Sequence, residues 1–336
     1  MHDPRRTRGA WSAAALLAAF LAAAPAPAQD KKPAPPGPEK VLLRLKVREG
    51  DRFRFGIQED YHSVLLLPSE IAEDLSLGRE GEILILKVAA DGGAEAGVRF
   101  SRSRGSVTAG PGNPPPTVFD SADKAVDRAS VPPESQALME CAGRGLDLTL
   151  SPRGEVTDLH LPADGSPSLA RPDAIAHESR FFPLLRSELQ RLFTVLPEKE
   201  IGAKGSWTVK HDEWRTAVGD DMGPFTEKFT LSARPEQLAK AQLSSGEPKR
   251  PYKTDLPKGP TGKKQAPDPG EPKGFDRGPF DLELKGTLDV NVATGMLDHR
   301  RLDLQEVRKE WKPNVPPLPS RITYSCEVTC GPVPPK

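Results

Sequence analysis

The sequence predicts a mainly β protein, with antiparallel sheets from two similar β-units and one or two short helices packed on the sheet. Three observations favour this fold class. Short segments alternate between apolar and polar residues, and glycine-containing turns separate them. The 37 prolines and 29 glycines among 336 residues also imply many turns.

The first strand-like segment is "LRLKVREGDRFRFGI", where apolar residues fall at 43, 45, 47, 53, 55 and 57. Gly50 and Asp51 interrupt the alternation, which predicts a strand, a turn or bulge, and a second strand, with one polar face. The polar face carries the basic stripe of the chain, which consists of Arg44, Lys46, Arg48, Arg52 and Arg54.

Two later segments have the same predicted shape of two strands around a tight turn. They are "LTLSPRGEVTDLHL" with Gly154 and "LDVNVATGMLDHRRL" with Gly295. The order strand, hairpin, hairpin occurs twice, at about 42–162 and 200–330, so we predict two pseudo-repeats and a possible internal duplication. The alternative is that any antiparallel protein contains similar hairpins by chance.

A helix is predicted near 183–194, between the two pseudo-repeats. Leu185, Leu189 and Leu192 recur at helical spacing, and Pro183 suits a first helical turn. This pattern predicts an inward stripe of leucines and assigns Glu188 to the outer side. The segment 133–145 is a second, shorter helix candidate.

The N-terminus has the three parts of a secretory signal peptide. A basic start is followed by the apolar stretch "WSAAALLAAFLAAA" and by small residues at Ala26 and Ala28. We predict cleavage near Ala28 and a mature protein that is soluble, in the periplasm or outside the cell. No further apolar run has the length of a membrane span.

The mature chain is predicted to contain a tether and one domain. Residues 29–40 are a Pro/Lys-rich tether. Residues 41–336 form a single β-rich domain, with a disordered Pro/Gly/Lys-rich loop at 246–278.

Charge and motifs restrict the chemistry of the chain. The formal net charge is +0, which does not favour nucleic acid as a partner. There is no G-x-S-x-G elbow, no phosphate-binding loop and no zinc-like histidine spacing. We therefore predict no catalytic, cofactor-binding or metal-binding residues, and we place the histidines on polar surfaces.

The three cysteines leave two arrangements open. Cys326 and Cys330 fall on one face of a predicted strand, too far apart for a disulfide. The first arrangement is that all three thiols are buried, and the second is that Cys141 pairs with one of the other two.

Several of these segments together resemble a known group of proteins. "LRLKVREGDRFRF", "LTLSPRGEVTDL", "LFTVLPEKEIGAKGSW" and "GTLDVNVATGMLDHRRLDL" are similar to segments of secreted proteins of unknown function that are abundant in planctomycete-type bacteria. The resemblance covers most of residues 42–330. It implies no catalytic or binding residues, and this chain differs in the insert at 246–278 and in the pair Cys326 and Cys330.

Three functional hypotheses follow from the sequence. The first is a non-catalytic exported protein that binds an apolar small molecule or an envelope component, because periplasmic lipid carriers also combine a curved antiparallel sheet with an apolar helix. The second is a structural or protein-interaction module of the cell envelope. The third is an extracytoplasmic hydrolase. An apolar cavity between helix and sheet favours the first hypothesis, and a filled core favours the second.

Overall fold

In a computed structural model, the chain consists mainly of β-strands, most of which pair antiparallel with their neighbours in sequence. The structure describes residues 40–334 except 66–70, 112–113, 124–135, 137–138, 140, 161–177, 213, 217–224, 233–236, 246–251, 254–275, 278–280 and 313–314. The strands are β1 Arg52–Leu65, β2 Ile71–Val88, β3 Ala94–Pro111, β4 Thr117–Asp120, β5 Gly145–Leu150, β6 Val156–His160, β7 Ser206–His211, β8 Phe225–Leu231, β9 Leu238–Ser245, β10 Tyr252–Lys253, β11 Asp276–Arg277, β12 Asp281–Asn291, β13 Leu297–Lys312 and β14 Val315–Pro332. The helix α1 is Glu178–Leu192.

Twelve of these strands form one sheet, so the predicted mainly β class with a helix is confirmed. Its order is β6-β5-β3-β2-β1-β14-β13-β12-β9-β8-β7, with β4 paired to β3. The first and last strands pair in the middle of the sheet, and the edges are β6 and β7, which α1 separates in sequence. Apart from β4, β10 and β11, each half of the sheet (β6 to β1, and β14 to β7) has the order of a meander, and the pairing of β1 with β14 joins the halves. The internal duplication stays a prediction.

Alternation divides the sheet into an inner face and an outer face. On β1, residues 53, 55, 57, 59 and 61 are buried, while 52, 54, 58 and 60 are exposed. The other long strands repeat this pattern, and the buried apolar side chains of β1 to β3, β5, β7 to β9 and β12 to β14 form one core cluster with α1. A strand with one dry face and one wet face gives this period of two.

The inner face is strongly concave. Arg300 on β13 forms an ion pair with Glu227 on β8, although β12 and β9 lie between these strands. On a flat sheet, three strand spacings would separate the two backbones by about 14 Å. The two side chains therefore meet because the sheet curves around its inner face.

Helix α1 lies in this concavity. Its predicted leucine stripe is confirmed, because Leu185, Leu189 and Leu192 are at most 1% exposed. Towards the end of the helix, Arg191 contacts Glu59 of β1 and Tyr324 of β14. From 185 to 192, Arg186 alone is exposed, so the sheet and the neighbouring segments cover the helix on several sides.

The segment before β1 differs from the strand that its alternation predicts. Leu43, Leu45 and Val47 are buried as expected, but residues 42–48 are not part of the sheet. Instead, the segment crosses two hairpin turns: the Leu45 N–H donates to Pro152 O at 2.9 Å, and the Lys46 N–H donates to Thr294 O at 2.8 Å. The two similar hairpins therefore hold the same N-terminal segment.

The basic stripe of the sequence is divided among local partners. Arg44 donates to the carbonyl oxygens of Pro197 and Glu198, and Lys46 donates to that of Val292. Arg54 pairs with Glu82 on β2. Arg44 and Lys46 therefore join the N-terminal segment to later parts of the chain, while Arg54 pairs within the sheet.

Gly295 is expected to be the most sensitive of the turn glycines. A Cβ at this position would lie 1.9 Å from Arg44 O, and its φ is +70°. We expect Gly295→Ala to lower the free energy of unfolding by about 2–3 kcal/mol, because the strain of a left-handed residue adds to displacement of the N-terminal segment. Urea unfolding measures this loss.

Gly143 provides the matched control for Gly295. Its φ is +78°, but a Cβ there would meet nothing within 4 Å. Gly143→Ala should therefore cost only the backbone strain, about 1–2 kcal/mol. Equal losses in the two variants would contradict the role given to the contact between Gly295 and Arg44.

Several sequence predictions fall outside the described residues. These are the signal peptide at 1–28, the tether at 29–40 apart from Lys40, and most of the loop at 246–278. Within that loop, the structure describes only the short strands β10 and β11, which pair with each other. In the shorter helix candidate, Gln136 and Met139 have helical backbone. None of the helices in the described part of the chain has the length and apolar character needed to cross a membrane.

Candidate functional site

Charged side chains occupy the interface between α1 and the inner face of the sheet. Glu59 on β1 and Arg79 on β2 point inward, and Glu188 and Arg191 reach them from the helix. All four are at most 1% exposed. Together with Tyr324 on β14 they form what we call the ionic network.

Each side of the interface contains its own ion pair. On the helix, Glu188 Oε1 and Arg191 Nη1 are 2.6 Å apart. On the sheet, Arg79 Nη2 donates to Glu59 Oε2. The helix side and the sheet side are therefore each electrically neutral when their carboxylates are ionised.

Further contacts join the two pairs across the interface. Arg79 Nε lies 2.7 Å from Glu188 Oε2, and Arg191 Nη2 lies 3.1 Å from Glu59 Oε1. The first is an ion pair whose N–H is not directed at the oxygen. Arg191 Nε donates to Tyr324 Oη at 2.9 Å, and this hydroxyl donates to Glu59 Oε1 at 2.7 Å.

A second cluster, the neighbouring triad, adjoins the ionic network. It consists of His211, Glu227 and Arg300, with His211 Nε2 at 2.7 Å from Glu227 Oε2 and Arg300 paired to the other carboxylate oxygen. The buried ring of Trp214 joins the clusters, because the guanidinium carbons of Arg191 and Arg300 lie 4.9 and 5.4 Å from its centroid. Such cation–π contacts strengthen when water is excluded.

Burial and neighbouring positive charges shift the pKa values of the acidic groups in opposite directions. Burial raises the pKa of Glu188 to about 7, against the lowering effect of Arg79 and Arg191. Burial would also raise the pKa of Glu59, but the charges of Arg191 and Arg79 outweigh it and hold this pKa below its usual value. Perturbed groups of this kind mark a candidate site, although structural ion pairs perturb pKa values too.

The pKa of Glu188 predicts a pH-dependent stability. Between about pH 4.5 and 7 the folded protein keeps a proton that the unfolded chain has released, so stability falls as pH rises through this range. We expect unfolding free energy, measured in urea, to fall by about 2–3 kcal/mol from pH 5 to pH 8.

The control for this pH effect is Glu188→Gln, which cannot titrate at that position. The lowered pKa values of Glu59 and Glu227 act below about pH 4.5, outside the measured range. The glutamine variant should therefore show a flat profile between pH 5 and pH 8. An equal slope in this variant would assign the effect to another group.

The structure corrects two sequence predictions about charged residues. Glu188 is not on the outer side of the helix, because it is 0% exposed. His211 is not on a polar surface, since it is buried against Glu227 and Trp214. His62, His160 and His299 do lie on the outer face, with acidic or hydroxyl partners.

The ionic network was not predicted from the sequence, although the alternation of apolar and polar residues contains its signal. Glu59 follows Phe53, Phe55 and Ile57 at the inward period of β1, and Arg79 follows Leu75 and Leu77 on β2. Glu227 and Arg300 also occupy inward positions of otherwise apolar strands. A charge at an inward position requires a buried partner.

The cysteines follow the first of the two predicted arrangements. Cys141, Cys326 and Cys330 are buried, and none of the three forms a disulfide. Burial raises the pKa of Cys326 and Cys330 to about 12. Such thiols stay protonated at neutral pH and are poor nucleophiles.

Around the leucine stripe of α1, the interface between helix and sheet is filled. Leu189 and Glu188 have no accessible surface, so no water-sized space adjoins either side chain. Among the described residues, no group of three or more histidine, cysteine, aspartate or glutamate side chains could hold a metal ion. The filled core is the outcome that the sequence analysis associates with an interaction protein.

The chain is similar in fold to a protein of known structure. A solved structure described as lipid–protein interactions in lipovitellin matches 87% of this chain and 26% of its own, so this chain spans about a quarter of that protein. The identity is 10% and the TM-score is 0.45. No family model matches the chain, and no curated protein matches it either.

Proposed function

We propose that the chain is an exported, non-catalytic binding protein that takes up an apolar ligand on the concave inner face of its sheet. The ligand occupies the place of α1, which moves away to admit it. The observation that carries this proposal is the charge balance across the interface: α1 and the sheet each keep a complete ion pair when they separate.

Because each side contains its own ion pair, separating the helix from the sheet costs less free energy than it would if either side kept an unpaired charge. Removing one partner of a buried pair leaves an uncompensated charge, which costs about 3–5 kcal/mol. Lifting α1 leaves Glu188 with Arg191 and Glu59 with Arg79, so neither side retains a lone charge. The inner face that α1 uncovers is apolar around these residues.

An apolar ligand supplies what the separated state lacks. Moving α1 exposes buried leucines and valines of the inner face, which is unfavourable in water at about 25 cal/mol for each Å². A ligand that covers this surface binds the open state and not the closed one, so it shifts the population towards the open state. The filled core then represents the protein without ligand.

The test measures saturable uptake of a fluorescent long-chain fatty acid. The wild type should bind it, and Glu188→Leu/Arg191→Met should bind it at least tenfold more weakly. The double variant removes the helix-side pair as a unit, and apolar contacts that replace a buried pair are often neutral or stabilising. Circular dichroism and urea unfolding check that the variant folds.

The matched control removes an ion pair from the outer face. Arg54 and Glu82 are 3.3 Å apart there, with side chains 73% and 43% exposed. Arg54→Met/Glu82→Leu makes the same chemical change without touching the interface, so uptake should stay at the wild-type value. A wild type that takes up no fatty acid, or a helix-side variant that takes it up fully, refutes the proposal.

The second candidate is a structural or protein-interaction module, and the filled interface favours it. Leu185, Leu189 and Leu192 are packed as a permanent core would be. In such a protein the ionic network fixes the position of α1 on the sheet, a role known for some buried polar groups. This candidate predicts no fatty acid uptake by any variant.

A further inference from the structure

The outer face of the sheet contains a groove, on the side of the sheet opposite to α1. It has a volume of about 260 Å³ and lies on β1, β2, β3 and β14. These strands pair in the middle of the sheet, where each has neighbours on both sides. We call it the outer groove, and its floor is held by the backbone pairing of four strands.

Two rows of polar side chains line the outer groove. In the first row, Thr323, His62, Asp74 and Thr108 are direct neighbours across β14, β1, β2 and β3. Direct cross-strand neighbours have Cβ atoms about 4.5–5.5 Å apart. The row therefore places one imidazole and one carboxylate between two hydroxyl groups.

The second row repeats this arrangement two residues along each strand. It contains Ser325, Asp60, Ser76 and Ser106 in the same strand order. Together the rows supply five hydroxyl groups, two carboxylates and one imidazole. Lysine and arginine are absent from this lining, and its one imidazole, that of His62, is already paired with Asp74.

Hydrogen bonds within the groove fix the carboxylates and the imidazole. Ser76 Oγ donates to Asp60 Oδ1 at 2.7 Å, and Gln58 Nε2 donates to Ser76 Oγ at 3.0 Å. His62 Nδ1 and Asp74 Oδ1 are 2.5 Å apart. These bonds hold Asp60, Asp74 and His62 in place before a ligand arrives, so the site is pre-organised.

We propose that the outer groove binds a neutral sugar unit. A sugar hydroxyl both donates and accepts hydrogen bonds, and the rows interleave acceptor carboxylates with hydroxyl groups that do both. The volume lies just below the ~300 Å³ at which sites for drug-sized ligands begin, which suits a ligand of monosaccharide size. This site is independent of the inner face and of the function proposed there.

The carboxylates also define what the groove rejects. An anionic sugar would bring a third negative charge beside Asp60 and Asp74, with no lysine or arginine in the lining to compensate it. Neutral sugars should therefore bind, while glucuronate, which has the same ring and a carboxylate, should not. This contrast separates recognition by the groove from nonspecific association with sugars.

The experiment follows amide chemical shifts during titration of the full mature chain. The probes are the methyl glycosides of glucose, galactose, mannose and N-acetylglucosamine, each to high millimolar concentration, with glucuronate as the anionic probe. At least one neutral glycoside should give saturable shifts at His62, Ser76 and Thr323. Glucuronate should give none.

Substitutions then assign the binding to the groove. Asp60→Asn and Asp74→Asn each replace an acceptor-only oxygen pair with an amide, and we expect each to weaken binding at least tenfold. Glu82→Gln is the control, since it removes a carboxylate from the outer face of β2 outside the groove. Thermal unfolding checks that all three variants fold.

Three outcomes overturn the proposal. The first is that no neutral glycoside gives saturable shifts at the groove residues. The second is that both groove variants bind as the wild type does. The third is that glucuronate binds as strongly as the neutral sugars. Fatty acid uptake is unaffected by any of these outcomes, so this proposal and the proposed function fail separately.

Discussion

Arg191→Met is expected to lower the free energy of unfolding by about 3–5 kcal/mol, which is the usual loss when one partner of a buried ion pair is removed. Arg191 contacts Glu59, Glu188, Tyr324 and the ring of Trp214. Methionine has a similar length but no charge, so two buried carboxylates would share Arg79 alone. Urea unfolding at pH 7 gives the loss.

The loss from Arg191→Met should depend on pH in a specific direction. Burial and the neighbouring Glu59 already raise the pKa of Glu188, and loss of the Arg191 charge raises it further. At pH 5 Glu188 is protonated, so the deficit should be smaller than at pH 8. A structural role through packing alone would give the same deficit at both values.

The double variant Glu188→Leu/Arg191→Met is the control for charge imbalance. It leaves Glu59 paired with Arg79 and Tyr324, so no lone charge stays buried. We expect it to be more stable than Arg191→Met alone, which is a non-additive result typical of residues in one network. An Arg191→Met protein within 1 kcal/mol of wild type would contradict the account of the network.

Leu189→Ala is expected to cost about 2–5 kcal/mol, the range for a buried leucine that leaves a cavity. Leu189 has no accessible surface and lies at the centre of the leucine stripe of α1. Because the stripe is fully packed, the cost should not fall below this range. Thermal and urea unfolding both measure it.

Arg186→Ala is the matched control for Leu189→Ala. Arg186 is the exposed residue of this part of the helix, so its loss should change stability by about 0.5 kcal/mol or less. Fatty acid uptake by Leu189→Ala then separates the two functional candidates. If the protein is a carrier, the loosened helix should raise uptake; if it is an interaction module, no uptake should occur. Equal, negligible effects at both positions would mean that α1 is not docked.

Local periodicity was sufficient to predict most of the sheet. The hairpins at Gly154 and Gly295 form as expected, because a turn glycine and alternation are properties of a few neighbouring residues. The leucine stripe of α1 was also predicted, since spacing at 185, 189 and 192 is local. The curvature of the sheet depends on residues far apart in sequence, and the wrong predictions for Glu188 and His211 arose from it.

Glu188 shows why helical spacing alone could not predict which side chains of α1 are buried. A helix on a flat sheet has one covered face, and Glu188 at the margin of the leucine stripe would then reach water. Here the concave sheet and the segments after the helix cover Glu188, Ser187 and Arg191 as well. Arg79 and Glu59, which compensate Glu188, come from strands more than 100 residues earlier in the chain.

The pairing of β1 with β14 has a consequence for synthesis of the chain. Phe53 pairs with Pro332, so the middle of the sheet forms only after residue 332 has been made. Until then, β1 offers an unpaired edge while all the segments between β1 and β14 are synthesised. Contacts this distant in sequence slow folding. A chain that stops before residue 315 would retain two half-sheets with exposed edges, so the synthesis of β14 decides whether the nascent protein aggregates or closes.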